Sequence, residues 1–384
     1  NIGDCVDTDP DAYDTLSVFA DTITKTNGGE FIIVADGGFT YTPTLDFEGT
    51  DTAIYTLTDT AGLSSQATVT IELLHREVNG TVFDDLLFGT DHRERIKGFE
   101  GLDTIIASLG DDTIDGGDDT DLLDYRDVAE AITIDVAQGL INGTSFADSF
   151  GNIEHIIGSS LADTITGAVS DDWLSGAQGD DTITSGGGAD TLFGGEGDDL
   201  FVVLGHETVT GGNGYDVVDY SGSVTGIAFD LFTTARTGIE EIMATGGDDT
   251  IRVDEVSADM TVKAGDGLDQ IDGSALTSAI TLDLNAGLIN ANGHTLSITE
   301  VEIAETGDGD DVIIGGGDGD TVRAGWGADT LDGGLGNDRL EGDNGEDVFI
   351  ASLGADSLMG GADDDRLVFV NATAGVMLQQ AQDT

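Results

Sequence analysis

The chain has 384 residues with 76 Asp and Glu against 12 Lys and Arg, giving a formal net charge of −64 and a pI near 4.1. Such a surface repels nucleic acid and anionic membranes, whose recognition needs basic patches, and no apolar run approaches the roughly 18 residues of a membrane helix, so neither partner is expected. A single cysteine, Cys5, rules out an intrachain disulfide. A hydrophobic fraction of 39% in phased positions argues for a folded chain rather than the disorder that acidity alone suggests.

The chain begins with Asn rather than Met and carries no visible signal peptide, so it is expected to be processed or a piece of something longer. Residues 1–74 hold alternating runs at 30–34, 39–43, 53–57 and 67–71, separated by Asp/Gly turns. Alternation at period two with such turns predicts the short strands of a small β-sandwich. The stretch GGFTYTPTLDFEGTDTAIYTLTDTAGLSSQATVTIEL resembles the cadherin-like or immunoglobulin-like domains of large bacterial surface proteins, and Asp7 to Val18 is similar to their acidic entry loop, with the usual first strand missing.

From Gly80 onward a nine-residue unit takes over. Five units from Gly80 place acids at Asp85, Glu94, Asp103, Asp112 and Asp121, each followed two residues later by an apolar side chain. Five more from Gly158 repeat the phase at Asp163, Asp172, Asp181, Asp190 and Asp199, and seven unbroken units from Thr306 to Val368 at Asp311, Asp320, Asp329, Asp338, Asp347, Asp356 and Asp365. Weaker units at 211, 244 and 264 add Asp216, Asp249 and Asp269, and VLGHETVT at 203–210 is a unit one residue short. A glycine turn reaches positive φ and aims carbonyls inward, Asp supplies a hard anionic oxygen, and the x-U-x that follows is a strand of about three residues with one side chain inward. Two units close one coil, so units n and n+2 stack, pairing Asp311 with Asp329, Asp172 with Asp190 and Asp181 with Asp199. Carboxylates about 4.8 Å apart repel by roughly 3 to 4 kcal/mol at an effective dielectric near 20, so the stack is expected to need a cation.

These units resemble the repeats-in-toxin (RTX) family of secreted bacterial proteins, whose consensus is G-G-x-G-x-D-x-U-x. The resemblance implies an all-β fold, a right-handed parallel β-roll behind the small β-sandwich, with multiple calcium ions held between turns by Asp side chains and backbone carbonyls. By that resemblance the ligands are Asp103, Asp112, Asp121, Asp163, Asp172, Asp181, Asp190, Asp199, Asp216, Asp249, Asp269, Asp311, Asp320, Asp329, Asp338, Asp347, Asp356 and Asp365. Glu94 replaces Asp in a unit with three basic residues, so the first two coils are expected to be metal-free caps.

The roll is expected to fill residues 75–384, with metal-poor interruptions near 125–157, 220–243 and 273–305. Each interruption has an alternating strand, ITIDV, IAFDL or ITLDL, and returns to an Ile-rich strand; the loops at about 137–152, 232–238 and 285–297 are expected to project sideways.

Catalytic signatures are missing: no G-x-S-x-G, H-E-x-x-H, P-loop or Cys-x-x-Cys occurs, and the five His share no motif. The chain therefore reads as a non-enzymatic, secreted, extracellular calcium-binding segment of the bacterial cell surface, structural or adhesive, in a stalk, surface layer or filament. Its partners are calcium and, in that role, further copies of itself or cell-surface ligands. The alternative is the secretion and folding tail of a secreted hydrolase, epimerase or toxin whose catalytic part lies outside this chain.

Overall fold

The computed structural model describes residues 17–25, 29–33, 38–44, 47, 49–58, 62–73, 76–205, 207–233, 235–351, 353–369 and 377–378. Cys5, most of the acidic stretch from Asp7, and His206 lie outside them. Every element among the described residues is a strand.

Before the roll, Ser17–Lys25, Gly49–Thr58 and Ser64–Leu73 form an antiparallel sheet, and Glu30–Ile33 pairs with Phe39–Thr42. Phe31 and Ala53 are buried, and the Phe31 and Tyr41 rings lie 4.5 Å apart. The buried Asp51 accepts from the Tyr41 hydroxyl at 3.0 Å, which satisfies a carboxylate taken out of water.

The roll starts at Arg76–Asn79 and winds as a parallel β-solenoid. Its short strands follow from the repeat: in Thr164–Thr166, Thr182–Thr184 and Leu200–Val202 only the central residue points inward, and these centres stack in register as Ile165, Ile183 and Phe201. All three are completely buried, and each such side chain contributes about 1.5 to 3 kcal/mol relative to exposure. One side of the roll is a sheet of nineteen described strands; the other is two sheets of eight, ending at Arg236–Thr237 and beginning at Ala228–Asp230. The short unit at 203–210 is absorbed by a 17-residue step, Leu192 pairing with Val209 and Phe201 with Val218.

The interruptions differ from their expected form, for the loops of the first and third do not project but lie in the sheet. Thr133–Asp135 jumps ahead to pair in parallel with Thr164–Thr166. The chain then runs back antiparallel through Leu140–Asn142 to Ala147–Gly151, which pairs in parallel with Thr113–Asp118. Thr281–Asp283, Leu288–Ala291 and His294–Thr299 repeat this path between Val312–Ile314 and Met260–Lys263. The alternating sequence of these loops buries Ile141, Ile289 and Leu296, which is why they join the core.

The second interruption makes the same jump on the opposite side without a described middle strand. Where that strand would lie, the Arg236 guanidinium stands 5.7 and 5.6 Å from the Tyr220 and Phe229 ring centroids. It donates to the Tyr220 hydroxyl at 3.0 and 2.8 Å and to the Asp230 carbonyl at 3.3 Å. Finally, Met377–Leu378 pairs in parallel with Ser357–Leu358, so the tail adds a strand to the last coils, as a covering of the solenoid end requires.

Candidate metal centre

Every repeat turn brings its acid to the edge of the roll. There the Oδ1 of one aspartate accepts the backbone N–H of the acid one coil earlier: Asp103 from Asp85, Asp181 from Asp163, Asp329 from Asp311 and Asp347 from Asp329, at 2.7 to 2.9 Å. The expected pairing of Asp172 with Asp190 and of Asp181 with Asp199 takes the same form. The carboxylates are thus not face to face, since half of each is bound to the neighbouring backbone. The expected repulsion is concentrated on the other half, Oδ2.

In twelve turns Oδ2 is buried with no hydrogen-bond partner: Asp103, Asp112, Asp121, Asp181, Asp190, Asp199, Asp216, Asp269, Asp311, Asp329, Asp338 and Asp347. These residues are 0 to 2% exposed. Two residues before each stands one in the left-handed region, namely Gly101, Gly110, Asp119, Gly179, Gly188, Gly197, Gly214, Gly267, Gly309, Gly327, Gly336 and Gly345, with φ from 81 to 149°. At Gly98, Gly116, Gly194, Gly211 and Gly342, which open such turns, the orphan oxygen faces a carbonyl of the next coil across a space that a Cβ would fill. A methyl on Gly98 would meet Asp103 Oδ2 and the Gly116 carbonyl, and one on Gly116 would meet Asp121 Oδ2 and the Asn152 carbonyl.

Six other turns are closed from within. The N–H four residues upstream donates to the second carboxylate oxygen at 2.5 to 2.9 Å: Thr81 to Asp85, Thr90 to Glu94, Ser159 to Asp163, Ala168 to Asp172, Thr245 to Asp249 and Gly316 to Asp320. None of these turns has a left-handed residue two before its acid. Glu94 also faces Arg76 Nε at 3.4 Å. At the C-terminal end Asp356 and Asp365 accept from Asp338 and Asp347, at 3.2 and 3.1 Å.

Four ladder members were not singled out from sequence. Asp148, in the first interruption, accepts from the Asp112 N–H at 2.7 Å and from the buried Tyr125 hydroxyl at 2.5 Å. Glu154, Glu240 and Glu302 accept from Asp121, Asp216 and Asp269 at 2.8 to 3.0 Å. The signal was present as an acid two residues before an apolar centre, at Phe150, Ile156, Ile242 and Ala304.

Among the described residues no group of three or more His, Cys, Asp and Glu converges. A cation in these turns must therefore draw most of its ligands from carbonyls, which suits calcium, a hard ion that takes six to eight oxygens. The donor chemistry, the orphaned buried oxygens and the cradles all fit that ion.

Burial, before any other cause, pushes these carboxyls up: Asp112, Asp199 and Asp329 to about 7, Asp181 to about 8, and Asp121, Asp190, Asp269, Asp338 and Asp347 to about 6. Neighbouring acids add to the rise, and the backbone bond to the preceding coil opposes it. Between pH of about 4 and 7 the folded chain then holds protons that the unfolded chain has released. Stability without calcium is fully present at low pH and is lost as pH rises through about 6 to 8. In chelator, β circular dichroism should grow on acidification from pH 8 to 5. Calcium affinity should fall over the same range, because proton and ion compete for one oxygen. An equally unfolded chelated chain at both pH values would contradict this.

Residues 2–74 match the bacterial cadherin-like domain. Residues 97–127, 151–183, 166–201, 305–340 and 341–369 match the RTX calcium-binding nonapeptide repeat. No curated protein matches the chain. The unmatched stretches from 128 to 150 and from 202 to 304 are where the interruptions and the weaker units lie.

Proposed function

We propose that this chain, an RTX roll with multiple calcium ions behind a bacterial cadherin-like domain, is an extracellular spacer and adhesive element of a secreted bacterial protein, folded by the calcium it meets outside the cell. The observation that carries this reading is the unbroken ladder of nineteen parallel and inserted strands along one side of the roll. At about 4.8 Å per strand it spans roughly 86 Å, and among the described residues its strand pairing is continuous. Catalysis is not part of the proposal.

The test is mechanical. Pulled through its ends in millimolar calcium, the chain should resist and then release about 900 Å of hidden length, since residues 76–369 extend to about 1,000 Å at 3.4 Å each. In chelator it should lengthen smoothly at low force. The same low-force extension in both conditions would remove the reading. Contacts with further copies, as in a surface layer or filament, belong to the same proposal. Light scattering that grows only in millimolar calcium supports them, and a monomer at high calcium leaves the spacer alone.

Carboxylates inside the array should matter more than those at its start. Asp329→Ala removes an orphan oxygen and the acceptor for Asp311, whereas Glu94 is tied to Thr90 and Arg76. Calcium titration should find reduced stoichiometry for Asp329→Ala and near-native stoichiometry for Glu94→Ala; equal loss would remove the distinction.

A further inference from the structure

We infer that eighteen of the repeat turns fall into two classes, only one of which takes an ion: the twelve turns with an orphaned oxygen are calcium sites, and the turns of Asp85, Glu94, Asp163, Asp172, Asp249 and Asp320 are fastened by their own backbone. This rests on the reading that the turn aspartates hold calcium, and it divides residues that the repeat motif treats as equal. Asp163, Asp172, Asp249 and Asp320 have the sixth-position acid and the apolar centre two residues on, yet each has spent its second oxygen on an N–H four residues upstream. An ion there would have to displace that bond. In the other class nothing has to be displaced, because the oxygen is buried and bare.

The placement of the fastened turns adds a consequence. Two form the first coil, two directly follow the interruption at 125–157, one directly follows that at 220–243, and Asp320 is the second unit after that at 273–305. Each run of calcium turns therefore starts on or beside a rung that is complete without the ion. The adjoining interruptions are also held without it, by the Tyr125 to Asp148 bond in the first and by Arg236 on Tyr220 in the second. Fastened rung and interruption together are islands that stack before calcium arrives, and the runs between them close as it binds.

Native mass spectrometry of the full chain in millimolar calcium counts the ions directly. Asp329→Asn should lose at least one ion, whereas Asp320→Asn, which keeps an oxygen for the Gly316 N–H, should retain the native count. Loss in both variants overturns the division alone. An unchanged count in both overturns the assignment of calcium to these carboxylates, and the division falls with it. If Asp320→Asn fails to regain the native circular dichroism at saturating calcium, Asp172→Asn asks the same question in a less buried turn. Hydrogen exchange of the unmodified chain in chelator is an independent check. Amides around Asp163 and Asp249 should exchange about tenfold more slowly than those around Asp190 and Asp347; uniform exchange overturns the islands.

Discussion

In excess chelator at pH 8 the β circular dichroism of the roll should collapse, and it should return on adding millimolar calcium. The reason is the twelve buried, partnerless carboxylate oxygens. A buried charge without a partner is costly enough that the group neutralises or the structure opens, and at pH 8 protonation no longer relieves most of these groups. With site dissociation constants of about 0.1 to 1 mM, a tenfold excess of calcium contributes about 1.4 kcal/mol per site. Twelve such sites add about 17 kcal/mol, more than the roughly 5 to 15 kcal/mol that is a domain's usual net stability. Removing the ion should therefore unfold the runs of calcium turns outright, leaving only the short islands at the fastened rungs, rather than soften the roll as a whole. An unchanged β signal in chelator at pH 8 would contradict the account.

A single methyl at the right glycine should by itself shift the calcium requirement. Gly327 lies at φ 142°, outside the range of other residues, and a Cβ there would overlap the Gly309 carbonyl of the preceding coil. Gly345 is stacked on Gly327 in the same way, so the turns have no slack in which to move apart. Gly327→Ala should cost about 1 to 3 kcal/mol from the backbone conformation alone, and it should raise the calcium needed for folding. Gly317 is the control: it has no left-handed φ, and a Cβ on it meets nothing within 4 Å, so Gly317→Ala should fold at native calcium. Similar shifts in the two midpoints would mean that glycine serves composition here rather than geometry.

The solenoid was legible because its constraint is local and repeated. Ile165, Ile183 and Phe201 each sit two residues after an acid, and that phase alone predicts the inward column that they form. The strands of the first domain were legible for the related reason that their alternation has period two. The inserted strands were not. Leu140–Asn142 is bracketed by turn residues and reads as a side loop, and only the distant pairings of its two neighbours, Thr133–Asp135 with Thr164–Thr166 and Ala147–Gly151 with Thr113–Asp118, place it in the sheet. The two kinds of turn were hidden for another reason. Gly247 and Gly267 occupy the same place in their units, yet only Gly267 is left-handed. The choice is made by the whole turn and its neighbour below, which a motif written one unit at a time does not record.

The backward step in the first and third interruptions also sets an order of assembly. Thr133–Asp135 precedes Ala147–Gly151 in the chain, but in the stack it comes two strands later. A polypeptide delivered from one end therefore cannot lay its rungs down one by one. From the amino end, Thr133–Asp135 emerges before the rung it must rest against exists; from the carboxyl end, Ala147–Gly151 meets the same delay. Growth halts at both places until the whole meander is out, and then resumes from a surface that fits in only one alignment. Coils of one spacing invite slippage by a full turn, and an out-of-sequence segment, whose place is set by two distant pairings at once, is where such a slip should be caught.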